Sequence, residues 1–331
     1  MGQVAPPIPG LGAGAWRLLA AAALAFAASK AEAGEGASSN YQPGTYGDFG
    51  LASPNDPGLE ATILTFHADL SARIVDPATG APVDLAAKVE GAALNIAWTA
   101  PWRWHGLTFA AGATAPLLRV DAAATLDFGL FGQFRTTDRE TGLGDIAVTP
   151  LTVYGQAGDF YWSLAEHVTL PTGRFRADRI ASPGRGHWSF DTVGAASWLD
   201  LDAGFEIAGV AGVLLNASNP ETDYRSGPEA HLDVSANVLI GDGFALGATV
   251  YAMRQLADDS GAGAGADPLR GRLFGAGLQA FWSPDAERFT PYVTLKWLHD
   301  FDARDRLSGD TIFVNGGVKT SQLAAQKSTT A

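Results

Sequence analysis

The amino-acid sequence predicts an all-β fold: an antiparallel transmembrane up-and-down β-barrel of about twelve strands, with an N-terminal luminal or periplasmic segment. Three observations lead to it. Apolar and polar residues alternate with a period of two in run after run. The runs are joined in turn by very short and by long connections. Tryptophans mark the ends of runs. The pattern is clearest from Leu143 to Gly173, where Ile146, Val148, Thr152 and Tyr154 share one parity. Beyond the short Gly155–Gly158 connection, Phe160, Trp162, Leu164, Val168 and Leu170 share a parity against Tyr161, Ser163, His167 and Thr169. Two such runs about a tight turn form a β-hairpin.

Taken from the start, residues 1–33 read as a cleaved signal peptide. Arg17 is the basic residue, Leu18 to Ala28 is an apolar run too short to span a bilayer, and Ala31-Glu32-Ala33 is a cleavage site. The expected destination is the outer membrane of a Gram-negative bacterium, with the mature chain beginning near Gly34. Residues 34–58 are rich in Pro, Gly, Asn and Ser, carry no strand pattern, and yet hold Tyr41, Tyr46, Asp48 and Phe49. Composition alone reads as a flexible N-terminus. The sharper alternative is a plug on the periplasmic side, folded up into the lumen with its aromatics inward.

From Glu60 the alternating runs fall at Ala61–Arg73, Ala86–Trp98, Gly106–Leu117, Gly144–Tyr154, Asp159–Leu170 and Trp188–Trp198. They continue at Gly204–Leu215, Ala230–Ile240, Phe244–Arg254, Arg272–Trp282, Thr290–Asp300 and Asp310–Val318. Gly155–Gly158, Leu199–Ala203 and Gly241–Gly243 are short connections; Pro171–His187, Asn216–Glu229 and Gln255–Gly271 are long ones. Outer-membrane barrels have short periplasmic turns and long extracellular loops. On that pattern both ends of the chain lie at the periplasm, the barrel covers residues 59–319, and residues 320–331 are a polar tail. Val120 to Thr141 keeps the phase as one long outer loop.

The membrane face follows from arithmetic. Trp188 and Trp198 share a parity ten residues apart. Ten residues rise about 33 Å along a strand, which at a tilt of roughly 40° projects to about 25 Å, the height of the apolar band between aromatic girdles. Trp98, Trp162 and Trp282 complete the expected girdle. The opposite parity should line the lumen: His231 and Asp233 in the eighth run, Tyr292 and Lys296 in the eleventh, His67 and Asp69 in the first. In the first run this puts Leu64, Phe66, Ala68 and Leu70 toward lipid. In the fifth, Glu166 falls on the apolar parity, and a bulge near Glu166-His167 would restore the phase.

Composition narrows the function. The 331 residues contain no cysteine, which removes disulfides and Cys-based metal or redox sites. A formal charge of -13 argues against nucleic acid as a partner. No later run is apolar for 18 residues, so helical spans are not expected. A mean hydropathy near zero suits a barrel, whose apolar residues are hidden by alternation.

Particular pieces then resemble a known family. They are Tyr41 to Gly50 (YQPGTYGDFG), Gly142 to Asp145 (GLGD) with Pro150, Leu170 to Gly173 (LPTG), and Asn219 to Gly227 (NPETDYRSG) leading into His231. Gln255, Asp259 to Gly263 (DSGAG) and Gly275 to Gln279 (GAGLQ) complete the set. In this order they resemble the outer-membrane barrel family labelled as involved in the meta-pathway of phenol degradation, including the SphA-like proteins. The resemblance implies a passive outer-membrane channel for small hydrophobic or aromatic compounds. Its implied partners are the lipid bilayer, those solutes and the outer-membrane assembly machinery, with no cofactor. One departure concerns assembly, because Phe313 lies too early to be the usual final aromatic residue.

A second function is an outer-membrane lipid hydrolase using His67, Asp69 and Ser71. Same-face neighbours on one strand are about 6.6 Å apart, whereas a triad needs hydrogen bonds of about 2.6–3.2 Å between groups on separate elements. Lumen polarity is the preferred explanation of the row, and no catalytic or metal-binding residue is assigned.

Overall fold

A computed structural model describes residues 35–75, 82–127, 129–241, 243–264, 270–284 and 289–320. The expected signal peptide and the tail beyond Thr320 lie outside the described residues. The strands are β1 (Gly58–Val75), β2 (Pro82–Trp104), β3 (Leu107–Asp127), β4 (Gln133–Leu143), β5 (Ile146–Ala157), β6 (Phe160–Leu170) and β7 (Ser189–Asp200). They continue with β8 (Phe205–Asn216), β9 (Glu229–Gly241), β10 (Phe244–Gln255), β11 (Arg272–Trp282), β12 (Phe289–Arg304) and β13 (Ser308–Thr320). Each pairs antiparallel with its neighbours, and β1 pairs with both β2 and β13, which closes the barrel. Around the ring of β1 to β3 and β5 to β13 no described strand is left with an unpaired side, the condition a sheet must meet in lipid, while β4 pairs on one side only, with β3.

The thirteen strands fill twelve positions. Both β4 and β5 pair with β3, one above the other, as two halves of a single wall strand. The expected outer loop over Val120 to Thr141 is therefore corrected: it is the top of a long β3–β4 hairpin, paired from Leu117↔Leu143 to Asp127↔Gln133. The halves part at Gly144-Asp145, where the Gly144 amide still donates to Pro116 O at 2.9 Å. The phase break in the fifth run is also relocated. β6 pairs with β7 without a shift, and the irregularity lies on β5 between Val148 and Leu151. Pro150 there has no N–H to give the ladder. Glu166 stays on the outer face, where Thr192 Oγ1 donates to it at 2.6 Å.

The wall is uneven in height. β2 and β3 have 23 and 21 residues, while β6 to β11 have 11 to 13. This reverses the expected first run. Along β1 the odd-numbered residues face outward throughout: Leu59 and Ile63 near the tight-turn end, then His67, Asp69, Ser71 and Arg73 higher up. Leu64, Phe66 and Ala68 face the interior; Phe66 packs on Phe313, and Ala68 is buried. An outer face must be apolar only across the hydrocarbon. Above it the same face meets water and carries ion pairs, Lys88 with Asp69 at 3.1 Å and Arg73 with Asp84 at 3.5 Å. Such exposed pairs each contribute about 0–1 kcal/mol. Inside the tall wall, Ile74, Val83 and Leu126 form an apolar cluster. The apolar parity thus swaps faces partway up one strand.

Segment 35–57 runs the depth of the barrel. Its start lies among the long loops, where Asn219 Nδ2 and Thr222 Oγ1 each donate to the Glu35 carboxylate at 2.7 Å. Asn40 Nδ2 reaches Ser189 Oγ at 2.6 Å. At the other end Lys319 Nζ donates to Asn55 Oδ1 at 2.6 Å, just before β1 begins. The expectation that both chain ends sit at the tight-turn end is therefore corrected for the N-terminal side: the described chain begins at the long-loop end and descends.

Candidate functional site

The loops are held down before the segment enters. Asp145, at the break in the wall strand, receives the Gly173 amide at 2.7 Å on one carboxylate oxygen and the Arg185 amide at 2.6 Å on the other. One side chain thus ties both ends of the 171–187 loop to the wall. Gly173 and Gly184 stack back to back, where a Cβ on either would come within 2.7 Å of the other's backbone. Asp259 does the same for its neighbours, receiving the Gly227 amide at 2.7 Å and Gln255 Nε2 at 2.6 Å. The pieces that carry the family resemblance in the loops are thus clamps that build a roof.

Below the roof the segment docks on the inward parities of β7 to β12. Tyr41 is buried and its hydroxyl donates to Asp233 Oδ2 at 2.6 Å. Its ring stacks on His231, centroids 4.0 Å apart and planes 14° apart, and Tyr46 lies nearly parallel 5.7 Å from the same ring. The His231 Nε2–H donates to Asp191 at 3.0 Å. Asp48 ion-pairs with Lys296, whose ammonium also donates to Gly44 O at 3.3 Å and Thr45 O at 3.0 Å. The chain turns at Gly44 with φ of +74°, and a Cβ there would meet Leu298 at 2.5 Å, so glycine is required twice over. Lower down, the Gly50 amide donates to Glu206 at 3.1 Å and Gln279 Nε2 donates to Gly47 O at 2.7 Å. Phe49 packs on Phe281 at 5.5 Å, and Phe281 on Tyr292 at 6.2 Å. Tyr292 closes the tight-turn end with hydrogen bonds to Glu60 and Thr62.

Eight of the ten residues expected along the lumen are brought together this way: Tyr41, Tyr46, Asp48, Phe49, His231, Asp233, Tyr292 and Lys296. The other two are not. His67 and Asp69 lie on the outer wall, paired with Glu90 at 3.7 Å and Lys88 at 3.1 Å, because their half of β1 stands above the lipid band. Ser71 shares that outer face, so the row offers the hydrolase no enclosed site. Of the expected girdle, Trp98, Trp188, Trp198 and Trp282 are 36–46 % exposed on outward parities, and Trp162 lies against Gly155. Sequence reasoning missed Asp191, Glu206 and Gln279. Each is a polar residue on the parity opposite an outward aromatic or aliphatic one, and that signal would have found them.

The sequence matches the family described as "Putative MetA-pathway of phenol degradation" over residues 71–315. The chain belongs to this family. Its fold is similar to that of the COG4313 outer membrane channel from Pseudomonas putida F1, with a TM-score of 0.62 at 13% identity over 85% of this chain and 100% of that one. The transport unit of the autotransporter AIDA-I from Escherichia coli gives 0.46 at 7% identity, over 84% and 93% of the two chains. The CymD monoaromatic hydrocarbon channel gives 0.34 at 10% identity, over 88% and 97%. No curated protein matches the sequence. The fold of this family member is an outer-membrane β-barrel.

Proposed function

We propose that this family member is a channel in the Gram-negative outer membrane through which small hydrophobic or aromatic compounds pass without an energy source, with segment 35–57 as its plug. On this reading the chain is exported by a cleaved signal and inserted by the outer-membrane assembly machinery. The observation that carries the proposal is the series of aromatic faces along the lumen. Tyr41, His231 and Tyr46 are followed downward by Phe49, Phe281 and Tyr292. Apolar solutes dock on such faces, while the carboxylates and amides around them keep the path wetted. A twelve-stranded barrel lies between eight-stranded barrels filled by side chains and wide porins, so a plug is needed to keep it from leaking. The family description and the channel named in the similar fold support the same reading.

The test is deletion of Ser38 to Pro57. Single-channel conductance in planar bilayers should rise, and uptake of toluene into liposomes should change. If both stay as in the parent, the segment is no plug. The hydrolase alternative has no favouring observation, since His67, Asp69 and Ser71 point away from the lumen.

A further inference from the structure

The surroundings of Tyr41 describe a ligand. Its side chain is a phenol: one flat ring and one hydroxyl. The ring lies on the face of His231, 4.0 Å away and within 14° of parallel. Leu214 and Met253 pack with it in one apolar cluster. The hydroxyl donates to Asp233 Oδ2 at 2.6 Å, on a carboxylate that is itself fully buried. All four groups come from strands β8 to β10, Leu214 from β8, His231 and Asp233 from β9 and Met253 from β10, so the pocket belongs to the barrel while its occupant belongs to the plug. Gly212 keeps it open, since a Cβ there would lie 2.3 Å from His231 Nε2.

We infer that His231, Asp233, Leu214 and Met253 form a binding site for a free single-ring phenol, and that Tyr41 is a tethered ligand which the solute displaces to release the plug. The inference deepens the channel reading and rests on it for its purpose. A free phenol reproduces the contacts that Tyr41 makes with the barrel wall, the stacked face on His231, the apolar packing and the hydrogen bond to carboxylate, and gives up only those that Tyr41 makes within the plug, to the Gly44 amide and the Tyr46 ring. Toluene stacks but leaves the buried carboxylate without its donor, and cyclohexanol donates but has no flat face. A site built around a buried hydrogen bond rejects analogues that lack it more strongly than it rejects changes in apolar bulk. A ligand tethered by a short chain acts at an effective concentration of about millimolar, so phenol should compete at about that level.

The chain contains no cysteine, so Gln42→Cys places a single thiol beside Tyr41 in the full-length protein. Maleimide should modify it about tenfold faster in phenol than without, half-maximally at about millimolar. Toluene and cyclohexanol should change the rate less than about twofold. Adding Tyr41→Phe removes the plug's own bond to Asp233, and the phenol concentration for half the effect should fall about tenfold. A rate indifferent to phenol, or raised equally by all three compounds, overturns the site. If Gln42→Cys loses heat-modifiable migration, Thr45→Cys carries the same measurement. Phenol entry into liposomes through the parent protein separates the two readings. Exposure of the thiol without entry keeps the site and removes the channel, and entry without exposure keeps the channel and removes the site.

Discussion

Lys296 on β12 is buried at 1 % exposure against the carboxylate of Asp48, and this pair joins the barrel wall to the segment inside it. The same ammonium caps the carbonyls of Gly44 and Thr45, so one wall cation holds three plug residues within the turn from Gly44 to Asp48. Removing one partner of a fully buried pair costs about 3–5 kcal/mol; here Lys296 is buried while the Asp48 side chain is 35 % exposed, so the lower end of that range is an upper bound. Lys296→Met should therefore loosen the plug and leave the wall intact. Amide exchange of residues 41–50 should quicken, by at most about a hundredfold at that bound. Unchanged exchange would show that the aromatic stack alone holds the segment.

Asp145 should control the loop roof. Each hydrogen bond to a carboxylate contributes about 1.5–3 kcal/mol, and Asp145 makes one to Gly173 and one to Arg185. Asp145→Ala should make Arg174, Arg176 and Arg179 readily cleaved by trypsin, while Asp145→Asn, which retains one acceptor oxygen, should be intermediate. Equal resistance of all three proteins would mean that the roof is held elsewhere.

Two outward substitutions test where the lipid ends. Val234→Arg lies in the apolar band and should impair assembly by about 2–4 kcal/mol if near the midplane. His67→Arg lies on the same outer surface but above the band, and should stay within about 0.5 kcal/mol of the parent. Ser235→Arg should still assemble, but Ser235 lies under Gly47, within 3.3 Å of where its Cβ would be, so the plug should be displaced. Similar losses at positions 67 and 234 would put both within lipid.

The roof should also respond to pH through His187. Burial pushes this loop imidazole below its ordinary value, and its Nδ1–H donates to Arg185 O at 3.1 Å. The unfolded loop then binds the proton more readily than the folded one. Stability is full above the ordinary His value of about 6.5 and falls as pH drops below it. Exchange of the 171–187 amides, corrected for intrinsic rate, should increase between pH 7.5 and 5.5 in the parent and not in His187→Gln. An equal increase in both would assign the effect to another group.

Period-two alternation, turn lengths and the spacing of Trp188 and Trp198 determined the barrel, its twelve wall positions and the inward parity of β9 and β12, because a strand inside the lipid band must be apolar on one face. They could not say how far a strand continues beyond the band. His67, Asp69 and Ser71 look like a lumen in sequence because alternation records which side is wet, and above the membrane the wet side of β1 is the outside while its inside is apolar. Only closure against β13, with Phe66 on Phe313, decided that they face outward. Likewise Tyr41, Tyr46 and Phe49 announced an apolar destination, but a segment without periodicity carries no direction. Its descent from Glu35 among the loops to Asn55 beside Lys319 was decided by partners more than 180 residues away in the chain, which no local pattern encodes.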